Sequence, residues 1–172
     1  MRGPTFDVTL AALGEEAAVA EVIQEAARWI TTWRTPLWDP ELVGIAFVTP
    51  YVAAGQVLAA RTGGEIAGVM IQLPEDPHFW PDRPEGEAVY LHKVTVRRAH
   101  AGTGVPAALM EHAAGLALAQ GRGLLRLDCD PPLSGFYERL GFRKVDEIDV
   151  HHPEAGHMRV ARMERPLGAS PA

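Results

Sequence analysis

The sequence predicts a mixed α/β sheet with helices on both faces, and three stretches predict it. Residues 57–73 read as a β-hairpin around Gly63-Gly64. Residues 88–120 pass from a β-rich run through a Gly-x-Gly into an amphipathic helix, and residues 124–164 add a strand, a short helix and two final strands. The order helices, β-hairpin, β-α-β-α, β-β excludes a TIM barrel and an all-parallel fold.

Each element has its own signal. Residues 5–10 form a short strand. Residues 14–33 carry Ala17, Ala20, Ile23, Ala27 and Ile30 at helical spacing. Thr35-Pro36 punctuates, because the residue before a proline avoids helical angles. A second helical region falls within residues 39–54. After the hairpin strands (57–62 and 66–73), the proline- and acid-rich stretch 74–86 is a loop, and 88–96 is a strand. The next helix runs from about Pro106 to Gln120, with Leu109, Ala113 and Leu116 on one face, and ends at Gly121 and Gly123. LLRLDC (124–129) alternates as a strand. Leu133, Phe136, Tyr137 and Leu140 make a helical stripe stopped by Gly141. Two strands, about 142–150 and 157–164, flank a His-Pro turn, and LGASPA ends the chain as a loose tail.

The chain has 172 residues, the size of one ordinary domain with room for a real core. Its 47% hydrophobic and 22% charged residues are those of a soluble globular protein. A net charge of −6 argues against a general nucleic-acid or anionic-membrane binder, though Arg97 and Arg98 can form a local basic patch. A single Cys129 excludes an internal disulfide and a CxxC metal site. The start, MRGPTFDVTL, has no apolar signal region, and no apolar run spans a bilayer. A cytoplasmic location follows by default.

Residues 88–110, AVYLHKVTVRRAHAGTGVPAALM, carry the most chemistry. A strand feeding glycines into a helix start exposes unpaired N–H groups at the positive end of the helix dipole, which suits a phosphate or pyrophosphate. Within the strand, Val89 and Leu91 are apolar at odd positions, but Val94 and Val96 at even ones. A β-bulge near His92 and Lys93 accounts for the shift and splays the strand from its neighbour. A strand buried on both faces accounts for it equally.

The run Val96–Gly104, followed by a helix, a strand and F-Y-E-R-L-G-F at 136–142, resembles the GNAT superfamily of acyl-CoA N-acyltransferases. The likeness covers about residues 57–165; no P-loop GK[ST] or Rossmann third glycine competes with it. It implies a mostly antiparallel twisted sheet of about seven strands with a splayed central pair, in a single domain. Residues 1–55 would form a helical acceptor side, 57–165 the acyl-CoA core and 167–172 the tail. It implies acetyl-CoA as co-substrate and no metal. The family's Q/R-x-x-G-x-G/A pattern is broken twice, by Ala101 and by Pro106. Proline fits a first helical turn but removes one N–H, so weaker cofactor affinity is expected. The remaining donors are the amides of Gly102, Thr103, Gly104, Val105 and Ala107.

Roles follow from the resemblance. The backbone at Val94, Thr95 and Val96 would pair with the pantetheine arm, and the Val94 amide would stabilise the oxyanion. Tyr137 matches the tyrosine that, in many family members, protonates the departing thiolate. Packing on its own stripe is the competing reading, and the motif favours the catalytic one. His92 falls where the arylalkylamine acetyltransferases carry a histidine, and imidazole titrates near neutrality. A structural histidine remains open, and Glu87 and Asp128 are rival bases. Asp130, followed by Pro131, is read as a helix cap rather than a cofactor contact.

Other residues have plainer readings. Cys129 is a small buried side chain, since direct attack by the amine needs no nucleophile from the protein. His151, His152 and His157 straddle a turn and face solvent. Arg97 and Arg98 are solvated charges or phosphate partners. Trp29, Trp33, Trp38 and Trp80, with Asp39, Glu41, Asp76 or Asp82, suit either core packing or a wall for a cationic amine. The expectation is an N-acetyltransferase acting on a primary amine of a small molecule or peptide. A non-catalytic acyl-CoA sensor and a nucleotide-binding module are the alternatives. The two terminal strands offer an edge for a homodimer.

Overall fold

A computed structural model describes residues 3–32, 38–153 and 155–168. Seven strands form one mixed sheet in the order β1-β2-β3-β4-β5-β7-β6. The chain divides into two compact units, Met1–Gln72 with Lys93–His112, and Leu73–His92 with Ala113–Ala172.

The first unit holds β1 (Asp7–Leu10), α1 (Glu16–Ile30), α2 (Ile45–Ala53), β2 (Val57–Thr62) and most of β3 (Glu65–Leu73). It also holds the second half of β4 (Ala88–Val96) and the start of α3 (Val105–Ala119). α1 buries Val19, Ala20, Val22, Ile23, Ala26 and Ala27, an apolar stripe at helical spacing. Ala17, expected in that stripe, is exposed: the two valines rotate the buried face away from it. β1, β2 and β3 pair antiparallel, and β2 is buried along Val57–Ala60. Gly68 on β3 is required by close approach. A Cβ there would lie 2.5 Å from the Val105 side chain and 2.7 Å from the Thr95 carbonyl. The Thr35-Pro36 break and Trp33 lie outside the described residues.

The second unit holds the loop from Pro74 to Gly86, the first half of β4, the rest of α3, β5 (Leu124–Cys129), α4 (Ser134–Glu138), β6 (Arg143–His152) and β7 (Gly156–Pro166). β5–β7 and β7–β6 are antiparallel, and β4–β5 is parallel. β6 takes the sheet edge. α4 is shorter than the stripe 133–140 predicts. Pro131 and Pro132 lack N–H groups, so a 3-10 turn at Pro131–Leu133 precedes it, and Phe136 is exposed.

Two buried arginines organise this unit. Arg126 is 2% exposed and donates to Glu164 at 3.0 Å, to the Tyr90 hydroxyl at 3.2 Å and to Glu87. Arg162 donates to Asp146 at 2.6 and 2.7 Å, to Asp82 at 2.6 Å and to the Phe79 carbonyl at 3.2 Å. Both guanidinium groups lie over the Trp80 ring, at 5.1 and 4.7 Å from its centre. Trp80 packs with Ala88 and Tyr90, which removes it from any acceptor wall. Buried charge of this kind is tolerated because every guanidinium is paired and stacked.

Candidate active site

The β4–β5 ladder pairs Ala88–Leu91 with Leu124–Leu127. Both strands run further, to Val96 and Cys129. Ala88–Leu91 are buried on both faces, and the backbone then breaks at Lys93, the one non-glycine with positive φ (+51°) among the described residues. Each reading of the apolar parity therefore describes one half of the strand. Past the break, Thr95 is buried with its hydroxyl donating to the Val69 carbonyl at 3.4 Å, while Val94 and Val96 are partly exposed. Thr95 thus has only backbone to offer a ligand.

The first residues after the last ladder pair are His92 on β4 and Asp128 on β5. With Asp76 from the 74–86 loop they bring donor atoms within 4.8 Å of one another. His92 Nε2 lies 3.0 Å from Asp76 Oδ2, an ion-pair distance without formal hydrogen-bond alignment. Asp76 is 7% exposed, and its Oδ1 accepts the Phe79 amide at 3.2 Å. One imidazole and two carboxylates suit proton transfer, and the same three donors are the described group closest to a metal-ligand set. Sequence reading did not connect Asp76 with His92; its only local signal is the D-P-x-F turn pattern.

Of the rival bases, Glu87 is committed to Arg126, whereas Asp128 belongs to the cluster. Tyr137 follows on α4, its ring against Phe136 and Phe142. Burial pushes its phenol well above the ordinary value, and the Cys129 thiol and Asp128 carboxylate add to the shift. Burial likewise pushes the Cys129 thiol up to about 11, Asp128 contributing and a Ser134 hydrogen bond opposing. Both groups keep their protons at neutral pH. Tyr137 therefore holds its proton more tightly than a free phenol, and Cys129 is no nucleophile. Asp130 takes the cap position before the 3-10 turn through its carbonyl, which accepts the Leu133 amide at 2.8 Å; it makes no side-chain cap bond.

In the first unit, a 3-10 turn at Arg98–His100 leads to Gly102 (φ +74°), Gly104 (φ +92°) and α3. A Cβ at either glycine would meet nothing within 4 Å, so the loop faces open space. Ala101, Gly102, Gly104 and Ala107 are exposed, and Val105 is buried. The Thr103 amide, expected among the phosphate donors, bonds to the His100 carbonyl at 3.3 Å, which removes it from the set. The exposed glycines ahead of a helix start fit a phosphate group. Arg97 is not free to join them: it donates to the Ile66 carbonyl at 2.9 Å and pairs with Glu21 and Glu25. Arg98 stacks on Trp29 at 3.7 Å. Lys93 lies over Trp38 at 4.5 Å and over Phe47 at 5.7 Å.

A family model described as the acetyltransferase (GNAT) domain matches residues 53–144, more than half of the chain. The protein belongs to the GNAT acetyltransferases. Acetyl transfer is the reaction of that family. An uncharacterized N-acetyltransferase of Bacillus subtilis, YesJ, is 28% identical over 135 residues, covering 73% of this chain and 74% of its own. A GNAT-family acetyltransferase from Listeria monocytogenes has the same fold, with a TM-score of 0.75 at 23% identity over 97% of this chain and 99% of its own. The acetyltransferase yncA of Salmonella typhimurium, solved with its cofactor acetyl-CoA, has a TM-score of 0.70 at 17% identity over 98% and 97%. No helix among the described residues is long and apolar enough to cross a membrane.

Proposed function

We propose that this GNAT protein acetylates a primary amine of a small molecule by direct attack on the acetyl-CoA thioester. The observation that carries the reading is the end of the β4–β5 ladder, where His92 and Asp128 meet Asp76 in a half-buried cluster. A peptide amine is the second acceptor class. The two units are read as one acetyltransferase domain, since the family match at 53–144 runs through both.

An alkylammonium must lose a proton before its nitrogen lone pair can attack. His92 accepts that proton. The N–C bond forms as the C–S bond breaks; Tyr137 gives its proton to the departing sulfur, and the proton still carried by the new amide nitrogen passes to solvent, from which the Tyr137 oxygen is reprotonated. The Val94 amide stabilises charge on the carbonyl oxygen. The amides of Gly102, Gly104, Val105 and Ala107 hold the pyrophosphate, with acetyl-CoA supplying the activated acyl group. Pro106 leaves one donor fewer than a glycine or alanine would.

The test is thiol release from acetyl-CoA with a panel of alkylamines, polyamines and lysine peptides. Amine-dependent release with a matching acetylated product is expected. Tight acetyl-CoA binding with no turnover on any amine would instead indicate a sensor. An edge-strand homodimer through β6 predicts a doubled mass by light scattering.

A further inference from the structure

The loop that carries Asp76 is fastened along its whole length. At its ends, Arg122 donates to the carbonyls of Pro74 at 2.5 Å and Ala88 at 2.6 Å, and Glu75 accepts the Gly86 amide at 2.8 Å. In its middle, the buried Arg162 holds the Phe79 carbonyl and the Asp82 carboxylate. The Asp76 carbonyl accepts the Trp80 amide at 2.9 Å, and Trp80 is 2% exposed. A carboxylate that is itself nearly buried is thus held rigidly 3.0 Å from the His92 imidazole.

We propose that Asp76 is the positioning residue of the base: it orients the His92 ring and stabilises the imidazolium formed when His92 takes the amine proton. This rests on the reading of His92 as proton acceptor. The proton moves from the amine nitrogen to the imidazole; Asp76 accepts none and supplies only charge. The other groups around His92 are the Asp128 carboxylate from β5 and the Phe79 ring, 6.2 Å away. Beyond Asp128 stand the protonated Cys129 and Tyr137. Lys93, next along β4, extends over Trp38 and Phe47. The imperfect alignment of the 3.0 Å contact is common before substrates bind, and such contacts tighten in the reacting complex.

Asp76→Asn separates this role from a structural one. Asparagine keeps the oxygen that accepts the Phe79 amide, so the loop turn survives, but it carries no charge. With an alkylamine near neutral pH, kcat should fall about 10–100-fold while the acetyl-CoA KM stays within about twofold. With an arylamine, already neutral at that pH, the loss should shrink to about threefold or less. Asp76→Glu should recover part of the activity. Independently of turnover, the His92 imidazole should titrate at lower pH in Asp76→Asn than in the wild type, read by nitrogen-15 NMR. An equal loss with both amines, or an unchanged His92 titration, would overturn the proposal. So would activity that a chelator abolishes and a divalent ion restores, because the three donors would then be holding a metal. If the wild type acetylates no amine, the functional reading fails on its own, and the NMR titration still decides the role of Asp76.

Discussion

The loop at 101–107 and the cluster of Asp76, His92 and Asp128 solve two different problems with different parts of the chain. The loop uses backbone: two glycines at positive φ, open space beside them, and a helix start behind. Its residues are contiguous, and none of AGTGVPA titrates. The cluster uses side chains, drawn from a loop and two strands and held by buried arginines. Backbone recognition depends on local conformation, so a substitution acts through φ or through a lost N–H. Side-chain chemistry depends on charge and orientation, so a substitution acts through protons. The two regions should therefore fail in different kinetic parameters.

The largest separation is expected at Tyr137. Tyr137→Phe removes the phenol proton proposed for the departing thiolate while keeping the ring on Phe136 and Phe142. A fall in kcat of about 100-fold is expected, the usual worth of a positioned general acid, with the acetyl-CoA KM little changed. Steady-state kinetics across pH measure this. An unchanged kcat would remove Tyr137 from the chemistry and leave the cluster without a proton donor.

Arg162→Leu should show that the cluster region depends on its buried charges for stability. The side chain is 4% exposed and holds Asp82, Asp146 and the Phe79 carbonyl. Breaking such a pairing costs about 3 kcal/mol, or roughly 6–12 °C in Tm for a chain of this size. Arg162→Lys should be intermediate, since it keeps the charge and loses the planar fork. Calorimetry would decide, and a Tm within about 2 °C of the wild type would mean that the exposed halves of Asp82 and Asp146 re-solvate freely.

The contrast between the regions also explains what sequence alone could reach. The strands, the hairpin, α3 and the glycine loop were legible because hydrophobic period and Gly-x-Gly are local signals, and so was the His92–Lys93 break, through its parity. Asp76 was not, because its relation to His92 spans sixteen positions and depends on how Arg122 and Arg162 pin the intervening loop. Arg97 misled for the same reason: an arginine beside a glycine loop looks free until Glu21 and Glu25 on α1 are placed against it. For Trp80 the sequence left core packing and an acceptor wall both open, and the two guanidinium groups over its buried ring decide for packing.

Gly104→Ala tests the backbone side with a smaller effect. At φ +92° a Cβ costs about 1–2 kcal/mol even though nothing nearby would clash. The strain falls on the donor amides, so the acetyl-CoA KM should rise about tenfold while kcat changes little, the reverse of the Tyr137→Phe pattern. Should kcat fall as far as the affinity, the two regions would not be functionally separate.

The smallest effect is expected in acid, and only the side-chain region should show it. Hydrogen bonds from Arg162 hold the Asp82 carboxyl down at about 2, with burial opposing, and the same arginine lowers Asp146. A carboxyl whose folded value lies below its unfolded one contributes stability above the unfolded value, about 3.9, and loses it as pH falls toward about 2. The Asp82 side chain is 53% exposed, so solvent limits this contribution to below about 1 kcal/mol. Urea unfolding at pH 7, 4 and 2.5 should find Asp82→Asn less stable than the wild type at the first two values, with the gap narrowed to about a third at the lowest. A gap undiminished at the lowest pH would assign the role of Asp82 to hydrogen bonding that outlives its charge, and the pH dependence of this unit would then have to come from Asp146 and Glu164.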